Sequence, residues 1–373
     1  MLERYYDKKS MGIGIVCQII VQLVVMSMQY VAGGMILSAL MPEIFTPVTG
    51  MLMSAVVFIG VTLIGGMWSA SVTNLMNVSL KYAGILMAVV LAVRMAGGMD
   101  QIQVNLPMAH GLDFISGVGP MTIITWIVVL ITVNLSLQSI IQISLGARDV
   151  HTARKGFIIG GLVMLPIGFV SALLGVIASE IYPNISATAA LPQMIMSLNP
   201  WLAGVTLAAL WAADVSCACN LLLSSATLYS HDIHKRFINP SMSDSKYLAV
   251  TRAAVLLLGL LTLGFALTIS GIISTLMAGL SLMTAFSVIA VMTLYAPKYC
   301  SREAAFYTIL TSVVVLVLWM TVPAVRILPH VIYAEWIICG AVFLGISAVC
   351  HRPIIIDEHL AVNEKIKTIP AQH

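Results

Sequence analysis

The residues best suited to chemistry stand in one apolar stretch, from Leu207 to Asp232. Small and polar side chains recur there at intervals of three, four and seven residues, which places them on one face of a helix: Ala213, Ser216, Cys217, Asn220, Ser224 and Thr227. Hydroxyl and carbonyl oxygens that face the interior of a helix bundle can coordinate a hard cation such as sodium. The same spacing also suits a polar seam, in which Ser and Thr bond to a neighbouring helix.

Asp214 lies beside this strip and favours the first reading. An acidic side chain near the middle of a membrane costs about 2.5–3.5 kcal/mol on insertion scales, and such residues usually face a cavity, a cation or a proton path. The structural alternative is a buried neutral Asp that bonds to a neighbouring helix. We therefore expect Asp214 to face the bundle interior, beside the cation or as a proton carrier.

A second group of polar residues lies in an earlier apolar stretch. Asn134, Gln138 and Gln142 follow one another at intervals of four, which predicts three amides along one helical face. Buried amides need hydrogen-bond partners. Those partners are either another helix or a bound solute, and the spacing favours neither.

These residues need a scaffold that crosses a membrane. Of 373 residues, 60% are hydrophobic and 9% are charged, whereas a soluble domain carries about 25% charged residues. A helical span needs about 20 apolar residues. Ten stretches qualify: 11–40, 50–67, 75–95, 122–146, 157–178, 202–229, 248–267, 273–294, 306–322 and 332–348. The sequence predicts an all-α polytopic membrane protein with about ten transmembrane helices.

The basic residues predict the orientation, because Lys and Arg are enriched in cytoplasmic loops. With Met1 inside, 14 of the 18 Lys and Arg residues fall in cytoplasmic segments and only Arg326 falls in an outer loop. Both termini are therefore expected in the cytoplasm, with residues 351–373 as a short tail. The net charge of +3 is spread over short loops, which gives no indication of a nucleic-acid partner.

Five segments make the sequence recognisable. The segment Gln138 to Gly156 resembles the signature of the sodium:solute symporter family, a Gln-rich helix end followed by a small-residue turn and a basic loop. The run Ala213-Asp-Val-Ser216-Cys217 resembles that family's sodium motif. Weaker similarities to the family occur at Leu2 to Tyr6, Gly65 to Leu75 and Leu222 to Phe237.

The resemblance implies a LeuT-type bundle of two inverted five-helix repeats, with a solute site at mid-membrane and alternating access. Residues 1–97 then supply the last three helices of the first repeat, 119–296 the second repeat, and 303–350 two peripheral helices. The first three helices of the family are missing from this pattern, so we expect a partial bundle that needs a longer protein or a partner chain.

The resemblance also implies roles for individual residues. Ala213 and Ser216 would bind sodium as the coupling ion, with Cys217 as a weak ligand because a thiol is softer than a hydroxyl. Asn134, Gln138 and Asp214 would contact a small organic solute. Asn74 would lie on the path to the inner exit, where several relatives carry an acidic residue.

The resulting expectation is a sodium-coupled symporter in the plasma membrane, with no cofactor besides the ion. Proton coupling through Asp214 stays open, as does a fragment that is inactive by itself. A membrane enzyme would need acidic residues and histidines clustered at one membrane interface. The run His231 to Arg236 is better explained as a solvated helix end, so no enzymatic activity is expected.

Overall fold

The computed structural model describes residues 2–105, 118–182, 184, 186–197, 199–268, 272–350 and 352–354, and describes side chains there except at 65–76, 103–105, 187 and 272–274. The predicted tail 351–373 therefore lies almost entirely outside the described residues. The helices are α1 Leu2–Tyr5, α2 Lys8–Leu40, α3 Pro47–Met95, α4 Met99–Asn105, α5 Pro120–Ser136, α6 Gln138–Leu145, α7 Val150–Ile181, α8 Ala187–Met196, α9 Pro200–Thr227, α10 Asp244–Ala266, α11 Ile272–Ser281, α12 Thr284–Tyr295, α13 Ala304–Thr321 and α14 Val331–Val349.

The predicted spans are confirmed. Within the described ranges, nine helical segments are long and apolar enough to cross a bilayer, and the bent pair α5–α6 makes a tenth. Two of the nine are halves of α3, Pro47–Ile64 and Asn77–Met95. A π-helical segment, Leu228–Ile238, continues α9 at its carboxyl end. The predicted and observed spans agree because a hydrocarbon core of about 30 Å requires about 20 apolar residues in each crossing helix.

Both halves of α3 contact α9. In the first half, the Trp211 ring N–H donates to the Ser54 hydroxyl and the Cys219 thiol donates to the Phe58 carbonyl. The first half of α3 and α9 therefore run in the same direction. In the second half, Gly84 lies against Thr206, and the preceding Lys81 shares a cavity with Cys217.

Side-chain caps fix where several helices begin. The Asp7 carboxylate accepts from the Ser10 amide at 2.7 Å and starts α2. Asp149 accepts from the Thr152 amide at 2.7 Å and starts α7. Hydrogen bonds from Thr152 lower the pKa of Asp149, because they stabilise the charged form at a helix N-terminus.

The apolar core of the described residues is divided into four clusters, and α2 contributes to all of them; the smallest joins Met11 and Ile15 to Leu228. Cys17 and Val21 pack with α5, α12, α13 and α14. Tyr30 packs with α3, α9 and α10, stacking on the Phe58 ring at 5.3 Å. Ile36 packs with the second half of α3 and with α7, α8 and α9. Because α2 is surrounded by other helices, it has buried residues from Ser10 to Leu37, along nearly its whole length.

Close approach of α2 and α3 depends on glycine. A Cβ atom built on Gly50 would lie 2.6 Å from the carbonyl oxygen of Gly34. Small residues allow such backbone contact in lipid, where packing takes the place of the hydrophobic drive. Gly156 and Gly160 are four residues apart on α7, a spacing that often marks close helix packing in membranes. A Cβ atom at either position would meet open space, so these two glycines do not mark a helix contact.

Candidate ion and solute site

The two oxygens predicted to bind the cation are adjacent on α9. Ser216 is buried, and its hydroxyl donates to the Ala213 carbonyl oxygen at 2.8 Å. Cys217 is exposed to a cavity instead, and its sulfur accepts from the Gln29 amide at 3.5 Å. The structure therefore separates the hydroxyl from the thiol, although they are sequence neighbours.

Asp214 lies inside the bundle, as expected. The residue is 8% exposed, and its Oδ2 atom has no hydrogen-bond partner in the described part of the chain. This oxygen lies against Gly33 of α2: a Cβ atom built there would be 2.8 Å from Oδ2 and 2.6 Å from the Ser54 hydroxyl. An unpartnered carboxylate oxygen in hydrocarbon is costly, which makes it a candidate ligand for a cation, a proton or a solute.

A cavity of about 370 Å³ opens beside these residues. This α9 cavity is lined by Ala213, Asp214 and Cys217 together with Gln29 of α2 and Lys81 of α3. It therefore brings a carboxylate, an ammonium group, an amide and a thiol to one space. Such a set can bind a small polar molecule from several sides.

The predicted helix 122–146 is broken. Its two parts, α5 and α6, meet at Leu137 with a bend of 51°. The Gln18 side chain of α2 spans the break, donating to the Ser136 carbonyl at 2.8 Å and accepting from the Gln138 amide at 3.2 Å. Free backbone groups inside a membrane must be satisfied by such neighbours, so Gln18 supports the irregular segment.

The break in α5–α6 corrects the predicted row of three amides. Because the helix bends between Asn134 and Gln138, these residues do not share one continuous face. Asn134 is exposed, and its amide donates to Leu130 of its own helix at 2.8 Å. Gln138 instead lines a second cavity of about 330 Å³, the break cavity, together with Gln18 and Ser136.

The break cavity has an ion pair among its lining residues. Glu3 of α1 and Arg236 of the π-helical segment bond to each other there. The neighbouring His231 is exposed and contacts Asp232 at 3.0 Å. This arrangement agrees with a solvated helix end, as the sequence predicts for the run from His231 to Arg236.

A second helix break adjoins the first. The Ser136 hydroxyl lies 3.2 Å from the carbonyl oxygen of Met283, in the turn between α11 and α12. Ser287 of α12 donates to the Thr132 carbonyl of α5 at 2.7 Å. The Ser136 hydroxyl also contacts the Thr132 carbonyl of its own helix at 2.9 Å, so the bond from Ser287 is the one that joins the two interrupted spans.

Two polar residues of this region, Gln18 and Lys81, were not identified from the sequence. Both carry polar groups inside apolar stretches, the same signal that singled out Asp214, but neither matches a spacing pattern. A third residue, Asn74, is predicted on the path to the inner exit, but its side chain is not among those that the structure describes.

Known proteins with similar sequences are transporters. A sodium/glucose cotransporter of Vibrio parahaemolyticus is 30% identical over 168 residues, covering 38% of this chain and 28% of its own length. The osmoregulated proline transporter OpuE of Bacillus subtilis is 21% identical over 284 residues, covering 73% and 57%. A high-affinity choline transporter of Caenorhabditis elegans is 24% identical, covering 59% and 41%. The chain thus spans 28% to 57% of the length of these relatives.

A solved structure has a similar fold. A substrate-bound, outward-open sodium-coupled sialic acid symporter superposes with a TM-score of 0.75 at 16% identity, covering 95% of this chain and 77% of the other. The LeuT-type helical fold is thereby confirmed. The family model for sodium:solute symporters matches residues 1–344, so this chain belongs to the sodium:solute symporter family.

Proposed function

We propose that the protein carries a small organic solute across a membrane together with sodium. The observation that supports this function best is the group on α9: the paired oxygens of Ala213 and Ser216, with the unpartnered carboxylate of Asp214 beside them. Oxygen atoms are the ligands that a hard cation prefers. Ala213 and Ser216 would hold the ion, and Cys217 would contribute weakly.

The cavities support a small solute. Each has a volume at the lower end of the range that ligand pockets occupy, about 300–1,000 Å³. Asp214 in the α9 cavity and Gln138 in the break cavity would contact the solute as it passes between them. Asn134 bonds within its own helix and is exposed, so it adds little support. The relatives are named for chemically different solutes, glucose, proline and choline, which favours no single one.

The repeat assignment belongs to this proposal. Residues 1–97 would close the first repeat, 119–296 would form the second, and 303–350 would pack outside them. The charge asymmetry supports an orientation with both termini in the cytoplasm, and we place the protein in the plasma membrane. Alternating access would then expose the α9 cavity and the break cavity in turn.

Reconstitution of the full chain into liposomes tests the function. An imposed sodium gradient should drive saturable uptake of at least one labelled solute from a panel of sugars, amino acids and quaternary amines. Ser216→Ala should raise the half-saturating sodium concentration about tenfold or more, since a bond to a charged group contributes about 1.5–3 kcal/mol. Cys217→Ser should lower that concentration or leave it unchanged.

Ser225→Ala is the matched control. Ser225 is buried on the same helix and donates to the Leu221 carbonyl at 2.9 Å, but it lies off the predicted strip. Equal sodium dependence of the Ser216 and Ser225 variants would contradict the ion site. Uptake driven by a proton gradient, and abolished by Asp214→Asn, would establish the proton-coupled alternative instead.

A further inference from the structure

A second buried carboxyl group lies far from α9. Glu335 sits near the start of α14 and is completely buried. Its Oε1 atom lies 3.3 Å from the Ser281 hydroxyl, and its Oε2 atom lies 3.1 Å from the Ser312 hydroxyl. The Thr284 hydroxyl at the start of α12 also reaches the carboxyl group. The site is therefore formed by four elements: α14, α13, the end of α11 and the start of α12.

The hydrogen-bond distances around Glu335 are compatible with a proton on the carboxyl group itself. The Ser281 hydroxyl is also 2.7 Å from the Ala278 carbonyl oxygen, which can only accept. A hydroxyl has a single proton, and its contact with Ala278 is the shorter of the two. When that proton bonds to Ala278, a neutral Glu335 can complete the arrangement by donating from Oε1 to the Ser281 oxygen.

The surrounding helices supply no cation that could balance a charged Glu335. Helices α5 and α11 contain no ionisable residue, and α12 and α13 contain only one tyrosine each, Tyr295 and Tyr307, both exposed. On α14 itself, Cys339 is buried against the Thr308 carbonyl, and Tyr333 bonds to Thr125 of α5.

The nearest basic residues are engaged elsewhere. His330 caps the start of α14 through its bond from the Ile332 amide, and burial lowers its pKa. The Arg326 guanidinium donates to the carbonyls of Trp319 and Met320 at the end of α13. Lys298 belongs to the short turn Pro297–Tyr299, and the nearby Ser301 amide bonds to Ser347 close to the carboxyl end of α14. An ionised Glu335 would be an unpaired charge in hydrocarbon, which is highly unfavourable.

We propose that Glu335 is a proton-binding site, a neutral carboxylic acid whose Oε1–H group donates to Ser281 and whose Oε2 atom accepts from Ser312. Release breaks the O–H bond, transfers the proton to water and leaves a carboxylate. That carboxylate would repel the lone pairs of the Ser281 oxygen and loosen the α11–α12 turn.

The site is positioned to influence the rest of the bundle. Ser287, in the first turn of α12 after this turn, donates to the Thr132 carbonyl of α5 at 2.7 Å, close to the α5–α6 break. Proton occupancy at Glu335 would therefore set how firmly the two interrupted spans are held together. This role is independent of which ion or solute the protein carries.

Infrared spectroscopy of the full chain in lipid membranes tests the protonation state. At neutral pH, incorporation of isotope-labelled glutamate should shift a carboxylic-acid C=O band in the parent protein. The shift should disappear in Glu335→Gln and persist in Asp214→Asn. If Glu335→Gln instead removes intensity from the carboxylate stretch, the proton is not there and the proposal is overturned.

Stability against pH gives a second measurement. The native state would bind a proton that the unfolded chain releases, so the parent protein should lose stability as the pH rises. Glu335→Gln should abolish that loss, because its amide can donate to Ser281 while its oxygen accepts from Ser312. Glu303→Gln, which removes a partly exposed carboxylate near Arg352, should keep it. If Glu335→Gln destabilises the protein at every pH, the proton assignment is contradicted.

Discussion

Gly33 leaves no room for a side chain beside Asp214. The Cβ atom of an alanine would come within 3 Å of both the Ser54 hydroxyl and the Asp214 carboxylate. We expect Gly33→Ala to lower the free energy of unfolding by about 1–3 kcal/mol, as overpacking of a well-packed interior does. Denaturation of the purified protein in mixed micelles measures the change, and sodium-driven uptake should fall with it.

Gly12→Ala is the control on the same helix. A Cβ atom at Gly12 meets no other atom within 4 Å, so the substitution should leave stability unchanged or raise it by up to about 1 kcal/mol through helix propensity. If both variants unfold alike, the contact between Gly33 and Asp214 is not a tight one in the protein.

Single residues also show where the sequence is informative and where it is not. The burial of Asp214 inside the bundle could be predicted, because an acidic side chain facing lipid has a high free energy. The same argument applies to Glu335, which was missed because its stretch resembled a peripheral helix. The partners of Glu335 come from α11 and α13, and no spacing within α14 indicates them. Ser216 and Cys217 are adjacent in sequence, but only packing decides that one is buried and the other exposed.

At the scale of elements, Gln18 holds the broken span α5–α6. Replacement by leucine would leave the Ser136 carbonyl and the Gln138 amide without their partner. Gln18→Leu should therefore lower the free energy of unfolding by about 1–3 kcal/mol, the usual cost of an unsatisfied buried group. Denaturation in mixed micelles measures this loss.

Gln22 provides an internal comparison one turn along α2. It is fully buried, and both polar atoms of its amide lack a hydrogen-bond partner in the described part of the chain. Gln22→Leu should therefore stabilise the protein, since it replaces an unsatisfied amide by an apolar group of similar size. If Gln18→Leu stabilises the protein as Gln22→Leu does, Gln18 does not support the break.

The spans could be predicted from the sequence, but the interruption inside one of them could not be located. Ten apolar stretches of sufficient length correspond to ten spans, because a bilayer imposes the same length on each. The bend at Leu137 has no proline or glycine to mark it. It depends on the side chain of Gln18, more than a hundred residues away in the chain, and long-range contacts of this kind leave no local pattern.

At the scale of the whole molecule, the orientation in the membrane can be tested directly. Asp100 on α4 and Ser241 after the π-helical segment are both exposed. In a chain whose native cysteines are replaced, Asp100→Cys should react with an impermeant thiol reagent added to intact cells. Ser241→Cys should react only after permeabilisation, because the basic residues place its loop in the cytoplasm.

The labelling result has a clear contrary outcome. If both positions react from the same side, the number of spans between them is wrong. If Ser241→Cys alone reacts in intact cells, the spans are correct but the orientation is inverted. An additional cysteine in residues 106–117, which follow α4 in the sequence, would repeat the test at a position outside the described residues.

The central position of α2 has a consequence for how the protein is made. Gln18 takes its partners from residues 118 and 120 positions further along the chain. Ribosomes add about 5–20 residues per second, so α2 must wait on the order of ten seconds in the bilayer or the translocon before α5 and α6 emerge. During that interval the Gln18 amide needs water, lipid headgroups or an insertion chaperone as a temporary partner. Assembly around α2 is thus a late event of biosynthesis, although the helix itself is synthesised early.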